Sequence, residues 1–381
     1  MILSPTTNAT PLPEADAILS VLAGGAWQPG PGVNRDRLCT FAASQGVAGL
    51  LFEVLKAGGT PEIPACLERA YYAAAARNTL HIHALARLEK ALAGSGVQVM
   101  ALKGAALLFS AYPDPGLRPM EDLDLLVRPE DRTRFATLLA GLGYRAHPDR
   151  SNLFSDEVVR LDIHCHALNA DRVPGRTGLL PAGMAPLWEL SLPLGQGHRN
   201  IVRPCDADLT LLLCQHALKH SYARLIWLVD IHRMLYRPDA AFFRDLARRA
   251  RELSQEKPLA YSLYIIRDFF RFSVPAELRA FVAGINAPER FLLDIKCSRE
   301  PFGLLGEMLC LLALPGVHAR LRFAADVLFP REGPETVGWS GVQRLIGRIG
   351  RATALALGQA NLLVRAARRP VRRSRTRNKA S

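Results

Sequence analysis

Apolar residues recur at helical spacing along the first part of the chain, as in Ala17-Ile18-Val21-Leu22 and Val47-Leu50-Leu51-Val54-Leu55. Gly58-Gly59-Thr60-Pro61 breaks that pattern. A long helix is expected from about Pro64 to Ala93, through Tyr71, Asn78, His81 and Leu88, with Gly94-Ser95-Gly96 ending it. The texture then changes. Val97–Leu102 reads as a short buried strand, followed by Lys103-Gly104 and a helix over Ala105–Ala111. A Pro- and Gly-rich loop, Tyr112–Met120, leads into a second strand, Asp122–Val127. Pro129-Glu130-Asp131 suits the first turn of a helix that stops near Gly141-Leu142-Gly143.

Val158–His166 predicts a third strand by strict alternation. Val159, Leu161, Ile163 and Cys165 share one face, and Arg160, Asp162, His164 and His166 share the other. From Asp208 the periodicity is helical again, over Leu209–Tyr222, Leu225–Leu235, Ala240–Leu253, Leu259–Phe272 and Leu304–Leu314. Arg331–Trp339 reads as a linker, and about Val342–Ala367 as an amphipathic helix. The expected organisation is a helical segment over 1–95, a small α/β unit over 96–200, a helical domain over 201–330, and a linker, helix and basic tail over 331–381.

Composition changes this picture only at the C-terminus. The 381 residues carry a formal charge of +13, but Arg365–Ser381 contributes 8 of those charges and no acid, which leaves +5 on the rest. The tail is expected to be disordered, and to contact nucleic acid or an anionic membrane. The seven cysteines are scattered with no CxxC, so neither a disulfide framework nor a structural zinc is expected. Residues 1–15, rich in Pro, Thr and Asn, read as loose and lack the basic start and apolar run of a signal peptide. With no apolar run of about 18 residues, the expected compartment is the cytoplasm.

The candidate chemistry sits in the α/β unit. Residues two apart on a strand point the same way, so Asp122 and Asp124 project together, and their like charges call for a cation between them. Asp162 stands on the polar face of another strand. Three acids on neighbouring strands suit divalent ions that flank a transferring phosphoryl group. Lys103-Gly104, where a strand ends and a helix opens, suits a phosphate, and Arg118 in the next loop suits the charge of a triphosphate.

The stretch Leu102-Lys103-Gly104-Ala105…Tyr112…Arg118…Asp122-Leu123-Asp124-Leu125-Leu126-Val127 resembles a nucleotidyltransferase family of the polymerase-β-like superfamily. Leu161-Asp162-Ile163-His164 resembles that family's third-carboxylate strand, and His216…His220…Trp227…Asp230 its helical segment. The resemblance covers about residues 15–330. It implies an α+β protein: a small mixed-sheet nucleotidyltransferase core embedded in a mainly helical chain. It also implies Asp122 and Asp124 as metal ligands, with Asp162 as third ligand or base. Two positions depart from the superfamily pattern. Ala105 replaces the usual Ser after the loop glycine, and Cys165 follows His164 where an aromatic is common.

The expected activity is transfer of a nucleoside monophosphate from an NTP, with ATP foremost, to an acceptor hydroxyl, with Mg²⁺ or Mn²⁺ as cofactor and pyrophosphate released. The acceptor, whether small molecule, peptide or protein, or RNA, is left open. The alternative is a non-catalytic nucleotide-binding or scaffold protein that keeps the fold. Several sharper motifs dissolve on inspection. Cys165 points away from His164 and His166, so they form no zinc site. His216 and His220 share a helical face, but Ala217 stands where HExxH requires Glu. Trp227 and Asp230 read as core plus one hydrogen-bonded acid.

Overall fold

The computed structural model describes residues 13–328, except 26, 28–31, 149, 169–173, 237–238 and 298–304. The expected linker, last amphipathic helix and basic tail lie outside the described residues. Four helices come first: α1 (Pro13–Leu22), α2 (Arg35–Ser44), α3 (Ala48–Ala57) and the long α4 (Ala65–Leu92). The central unit follows as β1 (Val99–Ala101), α5 (Lys103–Ser110), β2 (Leu123–Val127), α6 (Arg132–Gly141), β3 (Arg145–His147), β4 (Arg150–Ser155), β5 (Arg160–His164), α7 (Ala185–Glu189), β6 (Leu192–Pro193) and β7 (Ile201–Arg203). The rest is helical: α8 (Asp206–Lys219), α9 (Leu225–Leu235), α10 (Ala240–Glu252), α11 (Glu256–Phe270), α12 (Arg279–Ala283), α13 (Ala287–Cys297), α14 (Leu305–Ala313) and α15 (Gly316–Leu328). The class is α+β.

The described strands form one seven-stranded mixed sheet in the order β3-β4-β5-β2-β1-β7-β6. β2 runs parallel to β5 and antiparallel to β1, while β1 runs parallel to β7. Its central strands are buried on both faces, as a covered sheet requires. Val99, Ala101, Leu123, Leu125, Leu161 and Ile163 pack with Leu85, Leu88 and Leu92 of α4 and Phe135 and Leu139 of α6. Met100, Leu126 and Val202 face the other way and join the core of the helical body, with Leu209 and Leu213 of α8. Alternation along each short strand therefore divides the apolar side chains between two cores.

The long helix α4 belongs to both. Leu67 near its start packs with α3, and its C-terminal half backs the sheet. Glu89 fastens that half to β7, accepting from the backbone amides of Arg199, Asn200 and Ile201 at 2.9–3.2 Å. The helical body is pinned internally by Arg249 of α10. Its Nε and Nη2 each reach a carboxylate oxygen of the buried Asp208 on α8 at 2.7 Å.

The cysteine expectation needs correction. Cys39 of α2 and Cys66 of α4 form a disulfide, with Cα atoms 6.1 Å apart. Helices α2 and α4 pack side by side, which brings together two cysteines that spacing alone does not relate. Among the described residues, no helix is long and apolar enough to cross a membrane.

Candidate active site

The parallel pairing of β2 with β5 sets the geometry. Its register places Asp124 opposite Asp162 and Leu126 opposite His164. Because Leu123, Leu125, Leu161 and Ile163 are committed to the α4–α6 core, Asp124, Asp162 and His164 emerge together on the opposite face. Nε2 of His164 lies 3.0 Å from Oδ1 of Asp124 and 3.2 Å from Oδ2 of Asp162. One donor atom from each of the three residues falls within 4.8 Å of the other two. Asn152 of β4 donates from Nδ2 to Oδ1 of Asp162 and so orients that carboxylate from the far side.

Lys103 approaches from the other direction. It is the first residue of α5 and holds a φ of +46°, a left-handed value that costs a residue with a Cβ about 1 kcal/mol or more. From there Nζ forms an ion pair with Oδ1 of Asp124. Burial on its own would raise the pKa of Asp124, but the charge of Lys103 and the hydrogen bond from His164 hold it well below the usual carboxylate range. Burial likewise disfavours the charged form of His164, yet hydrogen bonds to Asp124 and Asp162 carry its pKa upward. Lys103 and His164 thus both favour the charged form of Asp124.

Asp122 stands just before β2, outside the 4.8 Å group. It feels that group all the same. Burial, and after it the charge of Asp124, push its pKa up against the opposing pull of Lys103. The trio expected from the sequence, Asp122, Asp124 and Asp162, thus appears as Asp124, Asp162 and His164 in contact, with Asp122 alongside.

Arg118 and Gly104 have different surroundings from those expected. Glu121, close by in the same loop, reaches Arg160 at 3.3 Å, and Arg118 turns to the protein interior. Its buried guanidinium grips Asp230 of α9, with Nη2 to Oδ2 at 2.8 Å, and Tyr112 donates to the same carboxylate at 2.7 Å. Asp230 is thus the hydrogen-bonded acid that its position suggested. A Cβ on Gly104 would come within 2.3 Å of Sδ of Met120 and 2.4 Å of Nη1 of Arg118. The close approach that this glycine permits is made by the chain's own loop.

Sequence reasoning passed over Asn152, because polar β4 carries no apolar period. It also passed over Asn78 of α4, whose Nδ2 donates to the carbonyls of Pro115 and Arg118 at 2.7 Å and holds the loop from beneath. Beside Lys103 lies a small recess lined by Leu102, Leu168, Leu212, His216 and Lys219.

Two carboxylates and an imidazole on one rigid sheet face are a donor set that could hold a divalent cation. Comparison with known families matches residues 31–271 to a family described as "Uncharacterised nucleotidyltransferase". Comparison with curated proteins and with solved structures gives no match.

Proposed function

The chain belongs to this uncharacterised nucleotidyltransferase family, and from that premise we propose that it moves a nucleoside monophosphate from an NTP, with ATP foremost, to an acceptor hydroxyl. The observation that carries the reading is the register of Asp124 opposite Asp162 on parallel strands, bridged by His164. Asp124, Asp162 and His164 would hold the divalent ion, with Asp122 contributing charge beside them. When bound, the ion supplies positive charge against the phosphates and the departing pyrophosphate.

The chain's own residues do the rest. Lys103 and the opening amides of α5 hold the triphosphate, in keeping with the positive end of a helix. Asp162, oriented by Asn152 and His164, accepts the proton of the acceptor hydroxyl. The acceptor oxygen bonds to the α-phosphorus as the bond to the bridging oxygen breaks. Pyrophosphate leaves with that electron pair. Arg118 acts one step back in this scheme, because its grip on Asp230 fixes the loop that enters β2.

The decisive experiment incubates the protein with Mg²⁺ or Mn²⁺ and each labelled NTP in turn, and follows pyrophosphate release and self-labelling. Metal-dependent release that disappears in Asp124→Asn supports transfer. Nucleotide binding without release under any acceptor mixture favours a nucleotide-binding scaffold.

A further inference from the structure

Next to the carboxylates lies an aromatic cluster that the phosphoryl chemistry does not use. His216 stands in the last turn of α8 and His220 directly follows that helix as its C-terminal cap, and Trp227 meets both from α9. The ring centroids are 4.8 Å apart for the two histidines, 5.0 Å for His216 and Trp227, and 5.2 Å for His220 and Trp227. The guanidinium of Arg224 sits 5.9 Å from the Trp227 ring. The cluster is open to solvent at one end, since His220 is exposed while His216 and Trp227 are partly covered.

Position gives the cluster its meaning. His216 lines the same small recess as Lys103, and from His216 the rings reach the exposed His220. A nucleotide whose phosphates reach Lys103 can lay its base on the solvent side of that recess, against these rings. Planar rings and a guanidinium are the groups on which bases stack.

We propose that His220 and Trp227, backed by His216, form the platform on which the base of the nucleotide substrate stacks. This rests on the nucleotidyltransferase reading above and deepens it. Stacking tolerates any base, because each has a π-face, so the platform supplies affinity for a nucleoside over bare phosphate and little choice among bases.

The test compares ATP with inorganic tripolyphosphate, both titrated calorimetrically in Mg²⁺ into the full chain, its Trp227→Leu variant and its His220→Ala variant. The wild type should bind ATP more tightly than tripolyphosphate. Each variant should lose about tenfold in ATP affinity, the scale of one base–aromatic stack, and keep its tripolyphosphate affinity. That second result also shows that the variant is folded. Should Trp227→Leu not fold, exposed His220→Ala decides alone. Equal wild-type affinity for the two ligands overturns the platform and leaves the nucleotidyltransferase reading standing. So does an unchanged preference for ATP in the variants, or a parallel loss of both ligands in His220→Ala. A wild type that binds neither ligand overturns both readings.

Discussion

Arg118 and Asp230, 112 residues apart in the chain, are joined at two points. Nε of Arg118 lies 2.9 Å from Oδ1 of Asp230, and Nη2 lies 2.8 Å from Oδ2. Tyr112 completes the group, so three polar side chains from the loop before β2 and from α9 satisfy one another in a buried site. Two separate parts of the chain are thereby locked next to the carboxylates. Removing one partner of such a pair leaves an uncompensated buried charge and costs about 3–5 kcal/mol. Asp230→Ala should show a loss of that size in urea unfolding. The double variant Arg118→Met with Asp230→Leu should lose clearly less than the two single changes added together.

The two acids of the Asp-x-Asp pair should behave oppositely when replaced. Asp124 is held by Lys103 and His164, so Asp124→Asn should destabilise the metal-free protein by about 1–3 kcal/mol through the lost charged partners. Asp122 has its pKa raised by burial first and by Asp124 next. A raised carboxyl pKa means that the folded state resists the charge, so at neutral pH Asp122 works against stability. Asp122→Asn should leave the melting temperature unchanged or higher. Both variants should lose nucleotidyl transfer. Equal stability losses in the two would contradict this division.

His81 gives a pH dependence. It is buried on α4, and burial, with added repulsion from Arg77 and Arg160, lowers its pKa to about 4. The unfolded imidazole titrates near 6.5, so the unfolded chain takes up a proton that the folded chain refuses. The contribution is intact above pH ~6.5 and is lost as pH falls toward about 4, by on the order of 3 kcal/mol in full. Unfolding free energies measured at intervals from pH 7 to pH 4 should fall more gently for His81→Leu than for the wild type.

These three sites were not equally legible in the sequence. Apolar period placed the long helix, the two strands with their acids, and the helices after Asp208, because each buries a continuous stripe or face. The hairpin of β3 and β4 escaped, since Arg145, His147, Arg150 and Ser151 are exposed and show no alternation of apolar residues. It is held by pairing with β5, which is a long-range fact. Asp162 was legible as an acid on a polar strand face. That His164 would sit between Asp124 and Asp162 depended on the register of two strands more than thirty residues apart, which no local pattern encodes. Arg118 was expected to meet a ligand; its partner is Asp230, on a helix whose packing on the sheet is decided by the core.

Gly104 should be intolerant for a reason internal to the fold. An added Cβ would overlap Met120 and Arg118, and neither can swing away easily. Arg118 is held by Asp230, and Met120 is buried. Overpacking of this kind costs about 1–3 kcal/mol. Gly104→Ala should lower the melting temperature even without nucleotide, and adding Met120→Ala should restore part of the loss. A variant as stable as the wild type, yet deficient in ATP binding, would assign the glycine to the ligand instead.

Lys103 makes the sharpest prediction, because its charge has two competing uses. Its ammonium rests on Oδ1 of Asp124, a carboxylate that would also hold the divalent ion, and its backbone there has a φ of +46°. A cation at Asp124 would compete with Lys103 for that carboxylate, and a released ammonium would be available to the triphosphate. Lys103→Met keeps much of the side-chain volume and removes the charge. It should therefore strengthen binding of the bare metal while weakening binding of tripolyphosphate or ATP. Ligand binding raises the melting temperature by mass action, about 2.7 kcal/mol at 100 times the dissociation constant, so thermal shifts report both changes. With Mn²⁺ alone the shift should be larger in Lys103→Met than in the wild type. With tripolyphosphate the order should reverse. A variant that loses both shifts would make Lys103 a structural prop of the carboxylates, and one that changes neither would place the phosphates elsewhere.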